Sequence, residues 1–473
     1  MLLRRETILH VNKIKNDRFP WADFLKRLAA IAIPIALQNL LTTTASMVDT
    51  MMVAPLGEKS VGALGLCAQF SSLMFSGYWG FVGGGMLFFS QYYGADDDAG
   101  IERSYGLTWL CMMSVAFLFA SLAIFFPETI MRLYTDKASI QRIGVQYLRI
   151  VGFAYVLQVF SMAVSALLRS TQRVRIPLIA STASVTTNLL LNWILIYGKL
   201  GLPAMGIRGA ALATTIAAAV NLAVLYILAW RTDFLYLFRI KSHFSWNRTH
   251  VATFFRKCFP ILCNEILIGV GNMIINVTLG RQPESVIAAL AVFRTIEGLI
   301  IGFFAGFSNA ASVLVGTCVG GGELKTAYER GKRLIYLCSG IIFLVGLILF
   351  SVRGPLLHAM SLFGASYEAG TFFLGFFVIV AVIRMGNWIQ NDTYRASGDA
   401  VYGTVLEIVF MYFMLIPCVL LAAFVWKLPY WAIFICCYVD EPIRYLLMQR
   451  HFYSKKWIKP VTEQGKAALK EIV

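Results

Sequence analysis

Ionisable side chains are scarce inside the long apolar stretches of this chain, and that scarcity isolates the residues able to do chemistry. Asp49, Glu265, Arg294, Glu297, Arg384 and Asp392 are the principal members. A charge at mid-bilayer costs on the order of 2.5–3.5 kcal/mol on insertion scales, so such residues persist where a partner, a proton or a bound ion compensates them. Asp49 lies six residues before Pro55, roughly 9 Å along a helix. It reads either as a carboxylate that loads a cation or proton, or as a polar residue capping the end of its span. Glu265 sits five residues past Pro260, near the middle of its span, with Asn264 beside it and Asn272 two turns on. A proline there frees carbonyls that can help ligate a hard cation. A protonated Glu265 bonded to a neighbouring helix is the plainer reading.

Gln38 and Asn39 occupy places in the first half that correspond to Asn264 and Glu265, so both halves are expected to present polar groups to one central cavity. Arg294 and Glu297 are spaced i, i+3 and share a helix face, which predicts an internal pair; Arg294 is also a candidate for an anionic substrate. Arg384 has no acid at i±3 or i±4, and Asp392 follows two turns later, so a partner from another helix such as Glu265 or Glu297 is expected. Asp440, Glu441 and Arg444 mark either a polar pocket or a solvated helix end, and their nearness to the last basic tail favours the solvated end. The chain has no HExxH, no GxxxxGK[ST] loop and no GxSxG elbow, and its five histidines fall in tails or loops. No enzyme is expected, no cofactor and no ATP-driven pump.

The elements that position these residues follow from composition. Of 473 residues, 58% are hydrophobic and 14% charged, with a mean hydropathy of +0.70; an ordinary soluble domain is about a quarter charged. The chain is read as an all-α polytopic membrane protein. Apolar runs near 28–54, 61–92, 103–126, 142–168, 176–198, 205–230, 252–280, 285–319, 333–352, 367–394, 401–425 and 429–449 predict twelve spans. The net charge of +16 would suggest nucleic acid in a soluble protein. Here the cations sit in the tails (Arg4, Arg5, Lys13, Lys15, Arg18; Lys455, Lys456, Lys459) and in alternate loops, the distribution that places both termini in the cytoplasm and excludes a nucleic-acid partner. No signal peptide is read at the start. The nine cysteines lie within apolar runs without CxxC spacing and read as packing residues.

The polar stretch near 231–250 divides the chain. The expected order is a cytoplasmic tail over 1–24, a six-helix lobe over 25–230, a linker over 231–250, a second lobe over 251–450 and a tail over 451–473. Pro34 recurs as Pro260, Gly94 as Gly320 and Arg169 as Arg395, all at an offset of 226 residues. A repeat of six spans keeps its orientation, so the lobes should be related by a pseudo-two-fold axis along the membrane normal, an arrangement seen in secondary transporters.

At these residues the chain resembles the multidrug and toxic-compound extrusion (MATE) family. The match begins with Pro34, Val48-Asp49-Thr50, Gly62, Gly65 and Gly83-Gly84-Gly85 through Gly94-Ala95-Asp96. It continues with Asn188, Asn192-Trp193, Tyr197-Gly198 and Gly206-Ile207-Arg208-Gly209. The resemblance implies a V-shaped pair of lobes that exports organic, often cationic, compounds in exchange for Na⁺ or H⁺ from a cell membrane, as a monomer. It implies coupling roles for Asp49 and Glu265; a third acidic position falls on Arg384, and a span-five acid of another branch falls on Asn192. The reversed charge at Arg384 keeps open a second function, flipping of a lipid-linked or anionic amphipathic precursor.

Overall fold

Glycine and proline punctuation, with a few side-chain caps, determines where the helices stop. Gly57 (φ +98°) breaks the chain after the first span, and Gly198 ends the fifth in the left-handed conformation that a side chain resists. Asp97 caps the third by accepting from the Gly100 amide at 2.8 Å, and Asn247 caps the seventh through His250 at 2.7 Å. The computed structural model describes residues 20–471, among which there are helices and no strands. The basic residues Arg4 to Arg18 of the expected N-terminal tail lie outside the described residues.

The first lobe comprises α1 (Trp21–Val53), α2 (Glu58–Gly94), α3 (Asp98–Phe125), α4 (Ala138–Ser170), α5 (Arg175–Tyr197) and α6 (Ile207–Arg231). The second comprises α7 (Arg248–Leu279), α8 (Glu284–Gly320), α9 (Leu324–Ser351), α10 (Ala365–Ala396), α11 (Ala400–Val425) and α12, which is broken into Tyr430–Cys436 and Asp440–Tyr453. Among the described residues, ten of these are long and apolar enough to cross a membrane by themselves. The other two are α2, diluted by glycine, serine and Gln69, and α12, interrupted in its middle by a turn and by Asp440, Glu441 and Arg444. Both pack as spans within their lobes.

The repeat is carried by whole helices. Both ends of α8 lie 226 residues beyond those of α2, and α9 stands in the same relation to α3. Contacts between lobes obey the same rule with the lobes exchanged. Gly80 lies against the Leu262 backbone and Gly306 against that of Ala36; Gly94 meets Thr317 and Gly320 meets Gln91. A methyl group on Gly306 would fall 2.5 Å from the Ala36 nitrogen. Small residues on α2 and α8 therefore let the lobes touch backbone to backbone, as at close helix contacts in membranes generally.

At the face bearing both described chain ends, the seam is closed further by the C-terminal segment. The Gln91 amide of the first lobe donates to the Ala396 carbonyl at 2.7 Å and accepts from the Val461 amide at 2.8 Å. Thr462 donates to the Gly320 carbonyl at 2.7 Å and caps α13 (Glu463–Lys470). Asp399, in the turn between α10 and α11, holds the segment through His451 at 2.9 Å and Lys459 at 2.8 Å. Burial raises the Asp399 pKa, but these two hydrogen bonds outweigh it and hold the carboxyl below its ordinary value.

Two outcomes follow from the seam. Gly306→Ala should lower the melting temperature in detergent, because overpacking of about 1–3 kcal/mol exceeds the helix-propensity gain of roughly 1 kcal/mol for losing a glycine; a higher melting temperature would contradict the backbone contact. The depressed Asp399 pKa means that its stabilisation is complete above the ordinary carboxylate value near ~4 and is lost as pH falls through the lower folded-state value. Hydrogen exchange over 455–465 should accelerate in Asp399→Asn at neutral pH, and to a similar degree in wild type only on strong acidification.

Candidate functional sites in the two lobes

Among the described residues each lobe is associated with a polar cavity, where a single central one was expected. In the first lobe a cavity of about 390 Å³ is lined by α1, α2, α4 and α6, among them Asp49, Ser71, Tyr78, Tyr147, Tyr155 and Thr214. Asp49 is presented one turn before α1 ends. Its carboxylate accepts from the Asn192 amide at 2.6 Å, and the same amide bonds to Asn188 at 3.2 Å. No ion pair reaches Asp49 among the described residues, so hydrogen bonding alone compensates its charge.

Gln38 and Asn39 do not reach this cavity. Gln38 is buried, donates to Ser181 at 2.8 Å and accepts from Arg169 at 2.6 Å. Asn39 crosses the seam to the Gly302 carbonyl at 3.2 Å. Both are structural links between helices where the sequence suggested cavity lining. Proline inside α1 and α7, at Pro34 and Pro260, removes a backbone donor in the turn just before each of these pairs.

The second cavity, of about 440 Å³, lies among α7, α8, α10, α11 and α12 and borrows one wall from α2 through Trp79, Val82, Gly83, Met86 and Leu87. Glu265, Asn272, Arg294, Arg384 and Asp392 line it, as do Arg395, Glu407, Asp440, Glu441 and Arg444. Glu265 pairs with Arg395 at 3.3 Å. Arg294 bonds to Glu297 at 2.8 Å, the internal i, i+3 pair, and Arg384 bonds to the other oxygen of Glu297 at 2.7 Å. Of the two partners proposed for Arg384 from sequence, Glu297 is the one in contact. Asp392 accepts from Ser308. Asn264 lies behind the wall, donating to Glu407 at 3.0 Å.

Asp440, Glu441 and Arg444 correct a sequence expectation. Each is under 10% exposed, and Arg444 bridges Glu441 at 2.9 Å, Asp440 at 3.5 Å and Glu407 at 3.6 Å. The break in α12 is the reason: the turn at 437–439 sets these residues at the level of the cavity rather than at a solvated end. Glu407 was missed, although an acid seven residues into an apolar span carries the same signal as Asp49. Its sequence equivalent in the first lobe is Ser181, and the bond from Gln38 to Ser181 repeats as the bond from Asn264 to Glu407.

Two pseudo-symmetric six-helix lobes, packed at one face and each furnished with a polar cavity inside a membrane-sized helical body, define a two-lobed membrane transporter. The MatE family model matches residues 34–194 and 260–421, two stretches whose starts are displaced by the repeat offset. The chain belongs to the MATE family and is a transporter, with no enzyme chemistry of its own. It is 21% identical over 443 residues to an uncharacterized transporter, YisQ, of Bacillus subtilis, covering 93% of this chain and 96% of that one. It is 25% identical to a probable multidrug resistance protein, NorM, of Neisseria meningitidis, over 72% of this chain and 75% of the relative. In fold it is similar to a mutant of the Vibrio cholerae MATE transporter VcmN, with a TM-score of 0.82, 16% identity and coverage of 92% and 99%.

The shared carboxylate of Glu297 yields a measurable coupling. Arg384→Ala and Glu297→Gln should each destabilise the protein, Arg384→Ala by roughly 3 kcal/mol because it leaves a buried carboxylate short of a partner. The double variant should fall short of the sum by about 1–3 kcal/mol in unfolding measurements. Additive losses would mean that the pair contributes nothing as a pair.

Proposed function

We propose that this transporter exports organic, often cationic, compounds in exchange for Na⁺ or H⁺, by rocking its two lobes between states open to opposite sides of the cell membrane. The observation that carries the coupling is Asp49: a carboxylate facing a cavity, held by one asparagine amide and, among the described residues, by no cation. Such a group is suited to load and release a proton or a hard cation, because the counter-charge it lacks is the one the ion brings. Glu265, already paired with Arg395, is proposed to respond more weakly. The names of the Neisseria relatives, probable multidrug resistance proteins, support the direction and class of transport.

Both termini are proposed to lie in the cytoplasm, on the charge asymmetry of the loops. The face sealed by Gln91, Thr462 and the C-terminal segment is then the cytoplasmic one, and the conformation is the one poised to take its coupling ion from outside. One chain contains both lobes and both cavities, which supports action as a monomer. The division into lobes over 25–230 and 251–450, joined by a linker over 231–250, is part of the same proposal. The second reading, flipping of a lipid-linked or anionic amphipathic precursor, draws on Arg294 and Arg384 in the cavity wall.

Purified protein in vesicles, loaded with a cationic dye and given an imposed Na⁺ or H⁺ gradient, tests the exporter. Wild type should move dye in response to one of the two gradients, and Asp49→Asn should reduce that gradient-dependent rate by about tenfold or more, equivalent to ~1.4 kcal/mol in the barrier. Dye movement indifferent to both gradients in wild type would overturn ion coupling and leave the flippase reading standing.

A further inference from the structure

At its outer end, farthest from the sealed face, the second-lobe cavity holds two arginines that converge on one acid. Arg294 on α8 and Arg384 on α10 each bond to a different oxygen of Glu297, at 2.8 and 2.7 Å. The Tyr438 hydroxyl adds a third bond, at 3.3 Å. That carboxylate accepts three hydrogen bonds, and its side chain is 5% exposed. The next acid, Glu441, lies 3.8 Å from the Arg384 Nε but is held more closely by Arg444 at 2.9 Å and by Asn387 at 2.6 Å. Two guanidinium groups therefore share Glu297, and Glu441, the other acid within ion-pair distance of Arg384, is shared with Arg444.

The two arginines are also the accessible members of the network, with side chains 38% and 25% exposed. A guanidinium has five N–H donors in a planar fork suited to carboxylate and phosphate oxygens, and Glu297 occupies a minority of them. Trp388 and Tyr438 lie with their rings 5.4 and 5.9 Å from the Arg384 guanidinium carbon, so aromatic surface adjoins the charge. About 12 Å along α10, two turns further in, Asp392 has the opposite character: it accepts from Ser308 and has no ion pair among the described residues. Arg395, three residues beyond Asp392, pairs with Glu265, so the inner end of the cavity carries both signs.

We propose that Arg294 and Arg384 form an oxyanion subsite, so that the second-lobe cavity takes an amphipathic organic molecule bearing a carboxylate or a phosphate ester beside its apolar part. The proposal deepens the exporter reading and rests on it for the direction of transport only. The subsite differs from ion coupling in residues and in cavity: coupling is assigned chiefly to Asp49 in the first lobe, recognition to the arginine pair in the second.

Binding to the purified full chain in detergent, followed through tryptophan fluorescence, tests it with three naphthalene probes of equal size: a carboxylate, a phosphate ester and a trimethylammonium. Wild type should bind the two oxyanions at least about tenfold more tightly than the cation, and Arg294→Gln, measured below its own lowered melting temperature, should weaken oxyanion binding by about tenfold. Glu297→Gln guards against a folding artefact, because it releases both guanidinium groups and should tighten oxyanion binding. Equal or tighter binding of the cation by wild type, or oxyanion binding unmoved by Arg294→Gln and weakened by Glu297→Gln, would overturn the subsite. A fourth arm separates the sources of such a group: competition by a lysophospholipid of monoester phosphate stronger than by glycerol phosphate indicates a lipid, the converse a soluble solute, and competition by neither at an Arg294-dependent site counts against the phosphate half of the proposal. Loss of gradient-driven dye export with oxyanion binding intact would sink the exporter reading alone; loss of oxyanion selectivity with export intact would sink the subsite alone.

Discussion

The close contact of α2 and α8 with the opposite lobe is the constraint on which the rest of the structure depends. Where Gly80 meets Leu262 and Gly306 meets Ala36, no side chain separates the backbones, and the relation of the lobes is set by the chain itself. Lipid tails are as apolar as leucine, so burying apolar surface gains little inside a bilayer; close packing and hydrogen bonding have to hold such lobes together. The seam runs from Gly94 and Gly320 at the sealed face to the neighbourhood of Thr43 and Ser76, which lie opposite Gly302 and Gly269. Beyond that level α1 and α2 line the first-lobe cavity instead, which is where Asp49 becomes available. A seam that is tight at one end and yields to cavities toward the other is the geometry that the proposed rocking motion requires, because a small rotation there moves the far ends most.

Duplication explains much of the polar architecture, and divergence explains the difference between the cavities. The frame is shared: an arginine at the end of α4 or α10 reaches the residues after the helix proline, and an amide beside that proline reaches α5 or α11. In the first lobe Arg169 finds the neutral Gln38, and Gln38 finds Ser181. In the second Arg395 finds Glu265, and Asn264 finds Glu407. In the second frame the acids are surrounded by arginines, as a buried charge is tolerated when paired and hydrogen-bonded. The first lobe kept one cavity carboxylate and neutral amides.

Much of this was legible in the sequence, for identifiable reasons. Span positions follow from apolar run length, and the offset of 226 residues predicted helices that correspond end for end. The pairing of Arg294 with Glu297 followed from their spacing on one helix face. Expectations failed where the answer depended on how a helix is interrupted or on which neighbour faces it. Nothing in the residues around Cys436 and Cys437 signals the turn that places Asp440, Glu441 and Arg444 in the cavity wall. The burial of Gln38 and Asn39 was equally hidden, since a polar residue inside a span looks the same whether it faces a cavity or ties one helix to the next. Glu407 was legible by the same scarcity that marks Asp49.

The contrast between the lobes bears on the proposed coupling of an ion to a larger solute. A group that must change its protonation or ion occupancy in each cycle has to be weakly compensated by the protein, or its loading energy becomes prohibitive; Asp49, with one amide partner, meets that condition. A group that recognises a charged solute has to remain charged throughout, and arginine tied to acids by short bonds meets it, because the acids stabilise the cation whether or not solute is present. Placing both requirements in one cavity would set them against each other, since the arginines would hold a coupling carboxylate permanently ionised and paired. Two cavities on a duplicated frame remove the conflict. On the proposed rocking mechanism, the seam of glycines between them would let the state of one lobe be felt by the other through the relative orientation of the helices.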